Sequence, residues 1–510
     1  MGQAKLYGQK QKGIDIQGIV DDYYAYAGEN ISAGDFVEFV QGVASRTESR
    51  SNLAYFATSE VKYITTCLID ENRFLIAYVL DSNNYLYIQV GTIENATITF
   101  GTAYNFVTRS VEMSSIIKIS DGKFLIGYAQ YQSNWNIYTI LCTVSNNNEL
   151  TFGTAYTVQT GTSSHHCNSP ILKLISSTKA LIVFAYGSTL YACVLSLDST
   201  GVSSKGTLYS LTSNYGNNNA YGCGVSVCQL TDTSFFVAYI IKRSSDNRFQ
   251  YVGKVLETSG LNITQGAENN IYILTTTSNG LGKIAVCALN SATVLAVFSN
   301  YDNSTILGRT FTITDINTVS GSSAGTLFTQ SSGLPNHFDV CKVTETKCTF
   351  VVGSTVSPYV NQIATILFSS SGLPYIPTGS TNYLIGTTDE KNVKYPSLFL
   401  TNNDKVIASY AYDDHYGYSQ AFNCSGNLPS KIFYNYTYET QVRKVTTPQF
   451  DGIAQTSGSG GTATAHNEQV EVLTIANPTE EHAIVDTNYV STYNEVVMTS
   501  DDNIFIVEEE

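Results

Sequence analysis

The sequence predicts an all-β chain: a seven-bladed β-propeller inserted into a small β-barrel domain formed by the N- and C-terminal flanks. Three observations predict it. A pair of apolar strands joined by a short polar turn recurs seven times. The string TFGTAY stands unchanged at 99–104 and 151–156. What lies outside the repeats is two short flanks, neither long enough for a core of its own.

The seven copies are CLIDENRFLIAY, IKISDGKFLIGY, LISSTKALIVF, CQLTDTSFFVAY, CALNSATVLAVF, CKVTETKCTFVV and LFLTNNDKVIASY, ending at Tyr78, Tyr128, Phe184, Tyr239, Phe298, Val352 and Tyr410. Weaker echoes of the string follow as KGTLY from Lys205, AGTLF from Ala324 and TGSTNY from Thr378. Unit one reads YITTCLI, FLIAYVL, YLYIQVGTI and ITFGTAYNFVT, four strands rich in Val, Ile, Tyr, Phe and Thr and bounded by turn residues. Four antiparallel strands per unit, repeated seven times without helical periodicity, describe propeller blades over roughly 61–442. A ring must close or expose its edges. The segment NLAYFATS at 52–59 resembles the outer-strand segment TAYNFVTR at 102–109, so it either adds an outer strand to the last blade or simply leads into the first.

The expected domains are therefore 1–51 as one half of the small β domain, 52–442 as the propeller and 443–480 as the other half, because domain termini often lie close together. Residues 481–510, with two alternating strands and an acidic end, read as a hairpin.

Composition narrows the function. Hydrophobic residues make up 43% of the 510 but charged ones only 14%, against about 25% in an average domain. Polarity comes instead from Ser, Thr, Asn, Gln and 36 Tyr. The formal charge of -15 repels phosphate backbones and anionic membrane surfaces, so nucleic acid is not an expected partner. No apolar run is long enough to span a membrane, and none follows the N-terminus as in a secretory signal, so membrane insertion is not expected. Cys67, Cys228, Cys287 and Cys341 fall at one repeat position, as residues filling a small apolar slot do; reduced core thiols are expected rather than a disulfide framework. No CxxC pair occurs, and neither metal nor cofactor is expected.

In a four-stranded meander the first-to-second turns share one face, and here they are tight. The second-to-third turns and the blade-to-blade loops share the other, where they are longer and carry the aromatic and His residues. Trp135, His165, His166, Tyr215, Tyr221, His337, Tyr359, Asp414, His415 and Tyr416 are the candidate ligand-binding residues of that face. Rings stack on the apolar side of a pyranose while amides and carboxylates take its hydroxyls, which points to glycan. The plain alternative is that Tyr and Asn are abundant throughout. His165 and His166 are adjacent, so on a strand they point oppositely and cannot share a metal; Asp413, Asp414 and His415 lack a residue to orient them.

Catalysis is the competing reading, as a propeller glycoside hydrolase or sialidase acting on polysaccharide. Glycoside hydrolysis needs two facing carboxylates, and carboxylates are scarce in the predicted strands. The repeated sialidase Asp-box is absent from all seven units and the chain has one Trp, so a non-enzymatic binding role is expected. A scaffold propeller would show G-H and W-D signals that are missing here.

The flanks carry a resemblance. ENISAGDFVEFVQGVA, continued after the propeller by FDGIAQTSGSGGTATAHNEQVEVLT, resembles the small β-barrel module of tailed-phage particle proteins, found in capsid decoration and fibre proteins. The matching positions are Ala33, Gly34, Asp35, Phe36 and Val37, then Gly452, Ile453, Ala454, Thr456, Ser457, Gly458, Gly461, Val470 and Val472, about 50 residues in all. The module is here split by the propeller. The resemblance implies a structural protein of the virion, made in the host cytoplasm, and several copies or a homo-oligomer. Gly34, Asp35, Phe36, Val37, Gly452, Ile453, Val470 and Val472 would dock it to other virion proteins of capsid, collar or tail. The propeller would face outward toward a host-surface glycan.

Overall fold

The computed structural model describes residues 19–27, 36–94, 96–162, 166–216, 224–274, 282–300, 304–330, 337–353, 361–383, 393–401, 405–412, 416–444, 452–454, 469–475, 496–498 and 504–506; for 19–27, 36–48, 382–383, 433–444 and everything after 451 it describes the backbone alone. Two compact units result, one of residues 49–433 and one of the flanks.

The first unit is a propeller of seven antiparallel sheets. The innermost strands are Val61–Asp70, Val111–Ser120, Cys167–Ser176, Val225–Gln229, Ile284–Asn290, His337–Thr344 and Val393–Leu400. Each touches the next and the last touches the first, so the ring is closed. The second strands are buried on both faces; Phe124, Leu125 and Ile126 are fully buried, and successive blades share hydrophobic clusters. That packing is why these strands read as continuous apolar runs.

In blades one to six the fourth strand is broken in two. In blade one, Thr97–Phe100 and Tyr104–Val107 pair with opposite ends of Leu86–Glu94. The break is the repeated string itself. Gly101, Gly153, Gly206 and Gly266 donate their N–H groups to the carbonyls of Val90, Leu141, Val194 and Val255 at 2.8 to 2.9 Å. A Cβ on Gly206 would collide with the Leu261 carbonyl, and one on Gly266 with that of Ile316, each in the outer turn of the next blade. At Gly153 too the nearest neighbour is a turn of the next blade, at the Thr200 carbonyl, so three of these four breaks receive a neighbour's turn.

Blade seven takes its outer strand from the other end of the chain. Ala54–Ala57 pairs with Gly417–Asn423, with Tyr55 opposite Tyr418 and Ala54 opposite Ser419, so the segment closes the ring. Phe56 is buried between the rings of Tyr78 and Phe100, with centroids at 5.0 and 5.8 Å. The Asn52 side chain imitates a strand partner: Oδ1 accepts the Ile98 N–H at 2.9 Å while Nδ2 donates to the Ile98 carbonyl at 3.2 Å.

The second unit is a closed barrel in the order Ile19–Ala27, Ile432–Lys444, Phe36–Arg50, Gly452–Ala454, Gln469–Ile475. Phe36 pairs with Ile453 and Val37 with Gly452; Val470 and Val472 lie opposite Ala25 and Tyr23. Gly452 is thus a strand residue. One boundary shifts from the sequence reading: Ile432–Lys444, assigned there to the propeller up to 442, is a barrel strand. Blade seven has no need of it once Ala54–Ala57 fills the outer position. Val496–Met498 and Ile504–Ile506 form a separate antiparallel pair.

All nine described cysteines are free. Cys228 and Cys287 are buried and Cys67 and Cys341 half-buried. Cys223 lies outside the described residues.

Candidate functional site

The innermost strands begin on the face of the long loops, and there they enclose an axial cavity of about 200 Å³ lined by residues from all seven blades. Four of these strands bulge at the cavity wall. Their register skips at Tyr63, Met113, Ser169 and Tyr395, each in the left-handed region with φ of 54°, 55°, 55° and 50°. L-residues pay roughly 1–3 kcal/mol for such a backbone, and strain of this kind concentrates at functional sites. The rings of Tyr63 and Tyr395 pack together with centroids 5.4 Å apart.

Just below the bulges, Ser115, Ser226 and Asp339 occupy one register position, opposite Gly127, Ala238 and Val351. Each accepts a backbone N–H from the next blade: Leu172 to Ser115 at 3.0 Å, Val286 to Ser226 at 3.1 Å, Leu398 to Asp339 at 2.8 Å. Asp339 also accepts the Val340 N–H on its other oxygen at 2.9 Å. Burial pushes the Asp339 carboxyl above the usual carboxylate range, against the pull of the Lys283 charge and of the two N–H groups.

Two residues deeper lies the position of the four cysteines. Pairing with Leu181 and Ile407 puts Lys173 and Phe399 at the same level. Burial pushes the Cys67 thiol up to about 11. The Lys173 charge acts on Cys67 of blade one, Cys228 of blade four and Asp339 of blade six. A side chain from blade three reaches all of these only if its ammonium lies near the axis.

Away from the axis, the long-loop face carries two exposed aromatic groups. On blade two, Tyr131 is 48% exposed and packs on half-buried Trp135, with centroids 5.6 Å apart. On blade seven, Tyr55 is 52% exposed and meets Tyr416 edge-on at 5.8 Å and Tyr418 at 4.8 Å. Blades two and seven both border blade one.

Of the sequence-derived candidates, Tyr416 stands just before strand Gly417–Asn423, Trp135 is the first residue of strand Trp135–Val144 and pairs with Tyr131, and His166 is exposed. Tyr215 and His337 are not loop residues. Tyr215 is 3% exposed, bridged to Ile241 and buried in the core shared by blades three and four. His337 opens the innermost strand of blade six, buried against the Tyr395 ring at 5.3 Å, and its Nδ1 accepts the Tyr395 N–H at 3.4 Å. His165, Tyr221, Tyr359, Asp414 and His415 lie outside the described residues, as do Gly34 and Asp35. Sequence reasoning missed Tyr63, Lys173, Lys283, Asp339 and Tyr395. A usable signal existed, since Pro170 and Pro396 stand inside otherwise regular strands, and proline there marks a bulge. Among the described residues no three His, Cys, Asp or Glu side chains could hold a metal ion.

No family model and no curated protein matches the sequence. Solved structures do resemble it. A protein from Lactobacillus plantarum superposes with a TM-score of 0.45 at 12% identity, covering 64% of this chain and 86% of its own. The NanB sialidase of Streptococcus pneumoniae gives 0.38 at 11%, covering 73% and 70%. The GH93 alpha-L-arabinofuranosidase of Fusarium graminearum gives 0.37 at 10%, covering 60% and 93%.

Proposed function

We propose that this chain is a non-enzymatic structural protein of a tailed-phage particle, docked through its small barrel and presenting the propeller for binding to host-surface glycan. The observation that carries the binding role is the asymmetry of the two faces. The exposed aromatic groups Tyr131/Trp135 and Tyr55/Tyr416 stand on the long-loop face. Aromatic faces flanked by amides suit pyranose rings. The docking role is supported by the resemblance of the flanks and by the pairing of Phe36 and Val37 with Ile453 and Gly452, which makes the two halves one barrel. Hydrolysis is the less supported reading: among the described cavity residues Asp339 is the only carboxylate, and both its oxygens accept backbone N–H groups.

The test is cell binding by the purified chain. Trp135→Ala with Tyr416→Ala removes two stacking surfaces, each worth about 0.5–1.5 kcal/mol, and lowers binding about tenfold or more. Asp121→Ala and Thr231→Ala on the tight-turn face leave it unchanged. Equal effects of both sets would remove the glycan role, and imaging of intact particles without the chain would remove the virion role.

A further inference from the structure

We propose that the axial cavity binds the carboxylate-bearing pyranose residue of an acidic glycan, with the Lys283 and Lys173 ammonium groups holding its carboxylate; this rests on the glycan-binding reading.

The charge argument comes first. Lys283 lines the cavity, and Lys173 lies two residues along its strand from Ile171, which also lines it. Neither lysine belongs to an ion pair among the described residues. The carboxylate near them, Asp339, is engaged through both oxygens by the Val340 and Leu398 N–H groups. Lys283 instead stands over the Phe338 ring at 5.4 Å, a contact that steadies the ammonium without neutralising it. Two cations against one carboxylate leave the axis of a protein with formal charge -15 locally positive. An anion fits there.

The walls narrow the class. Tyr63 and Tyr395 contribute ring surface, which inorganic anions and simple carboxylates do not use. The Ser114 hydroxyl lines the cavity, buried and without a hydrogen-bond partner among the described residues, and a ligand hydroxyl supplies one. A cavity of about 200 Å³ holds one sugar residue rather than an oligosaccharide. Charge, apolar face and hydroxyls together describe a uronic or similarly acidic sugar. The four left-handed residues mark this wall as the strained part of an otherwise regular ring.

Calorimetric titration of the full chain with D-glucuronate, D-glucose and acetate tests the proposal. Glucuronate is expected to bind at least about tenfold more tightly than either of the others. Lys283→Met should weaken it about tenfold or more, while Lys283→Arg retains most of it; Lys173→Met, on another blade, gives the same loss should Lys283→Met fail to fold. Glucose binding as well as glucuronate, acetate binding as well as glucuronate, or no binding by any of them overturns the proposal. Trp135→Ala with Tyr416→Ala should leave glucuronate binding intact. Loss of cell binding in that variant with no glucuronate binding by the parent chain sinks the axial site alone; glucuronate binding with cell attachment indifferent to the aromatic variant sinks the surface reading alone.

Discussion

Leu398 of blade seven donates its backbone N–H to the carboxylate of Asp339 in blade six at 2.8 Å, the bond that hydroxyls of Ser115 and Ser226 receive elsewhere in the ring. A charge therefore does a hydroxyl's structural work. Since burial raises the Asp339 carboxyl above its unfolded value, the native state holds its proton more tightly. Ionising it costs stability as pH rises from below the unfolded pKa through the folded one, and that stability returns on acidification. Asp339→Ser should remove this dependence. The difference in Tm, variant minus parent, should grow more favourable to the variant from about pH 3 to about pH 7. A difference constant over that range in thermal melts would contradict it.

Gly266→Ala places a methyl against the Ile316 carbonyl. It should cost about 1–3 kcal/mol, as overpacking does. Gly426→Ala meets nothing within 4 Å and should stay within about 0.5 kcal/mol of the parent in urea titrations.

Ring closure rests on few side chains. Phe56→Ala should cost about 3–5 kcal/mol, for loss of a buried aromatic. Asn52→Ala should cost about 1–3 kcal/mol, because it strips the Ile98 amide of both partners. Limited proteolysis should show blades seven and one opening first in either variant.

The thiols should be inert in the native state. Burial holds Cys67 near 11 and Cys341 well above the ordinary range, so little thiolate exists at neutral pH. In a Cys223→Ser background, a disulfide thiol reagent should react slowly with folded protein and fast in denaturant. Rapid native labelling would mean that the interblade slots are open.

The repeats were legible because each blade solves the same packing problem, so TFGTAY marks a break in the outer strand wherever it stands. The cysteine position was legible for the same reason, yet counting only cysteines passed over Lys173 and Phe399 in the same column. The cavity was hidden because seven distant blades each contribute one to three residues. Its left-handed positions are Tyr, Met, Ser and Tyr, with no glycine to announce them. Tyr215 and His337 misled because polar neighbours suggested loops where a bridge and a strand start begin. Ile432–Lys444 alternates like a blade strand, and nothing local says that Ala54–Ala57 has already taken its place.

The Ser51 N–H donates to the Lys431 carbonyl at 2.7 Å, so the chain leaves the propeller beside the point at which it came in. Strands Phe36–Arg50 and Ile432–Lys444 are neighbours in the barrel. To the barrel, then, the propeller is a single hairpin connection of unusual length. Its exchange for another module with adjoining ends requires no new register, and a short turn in its place should leave a barrel that still folds.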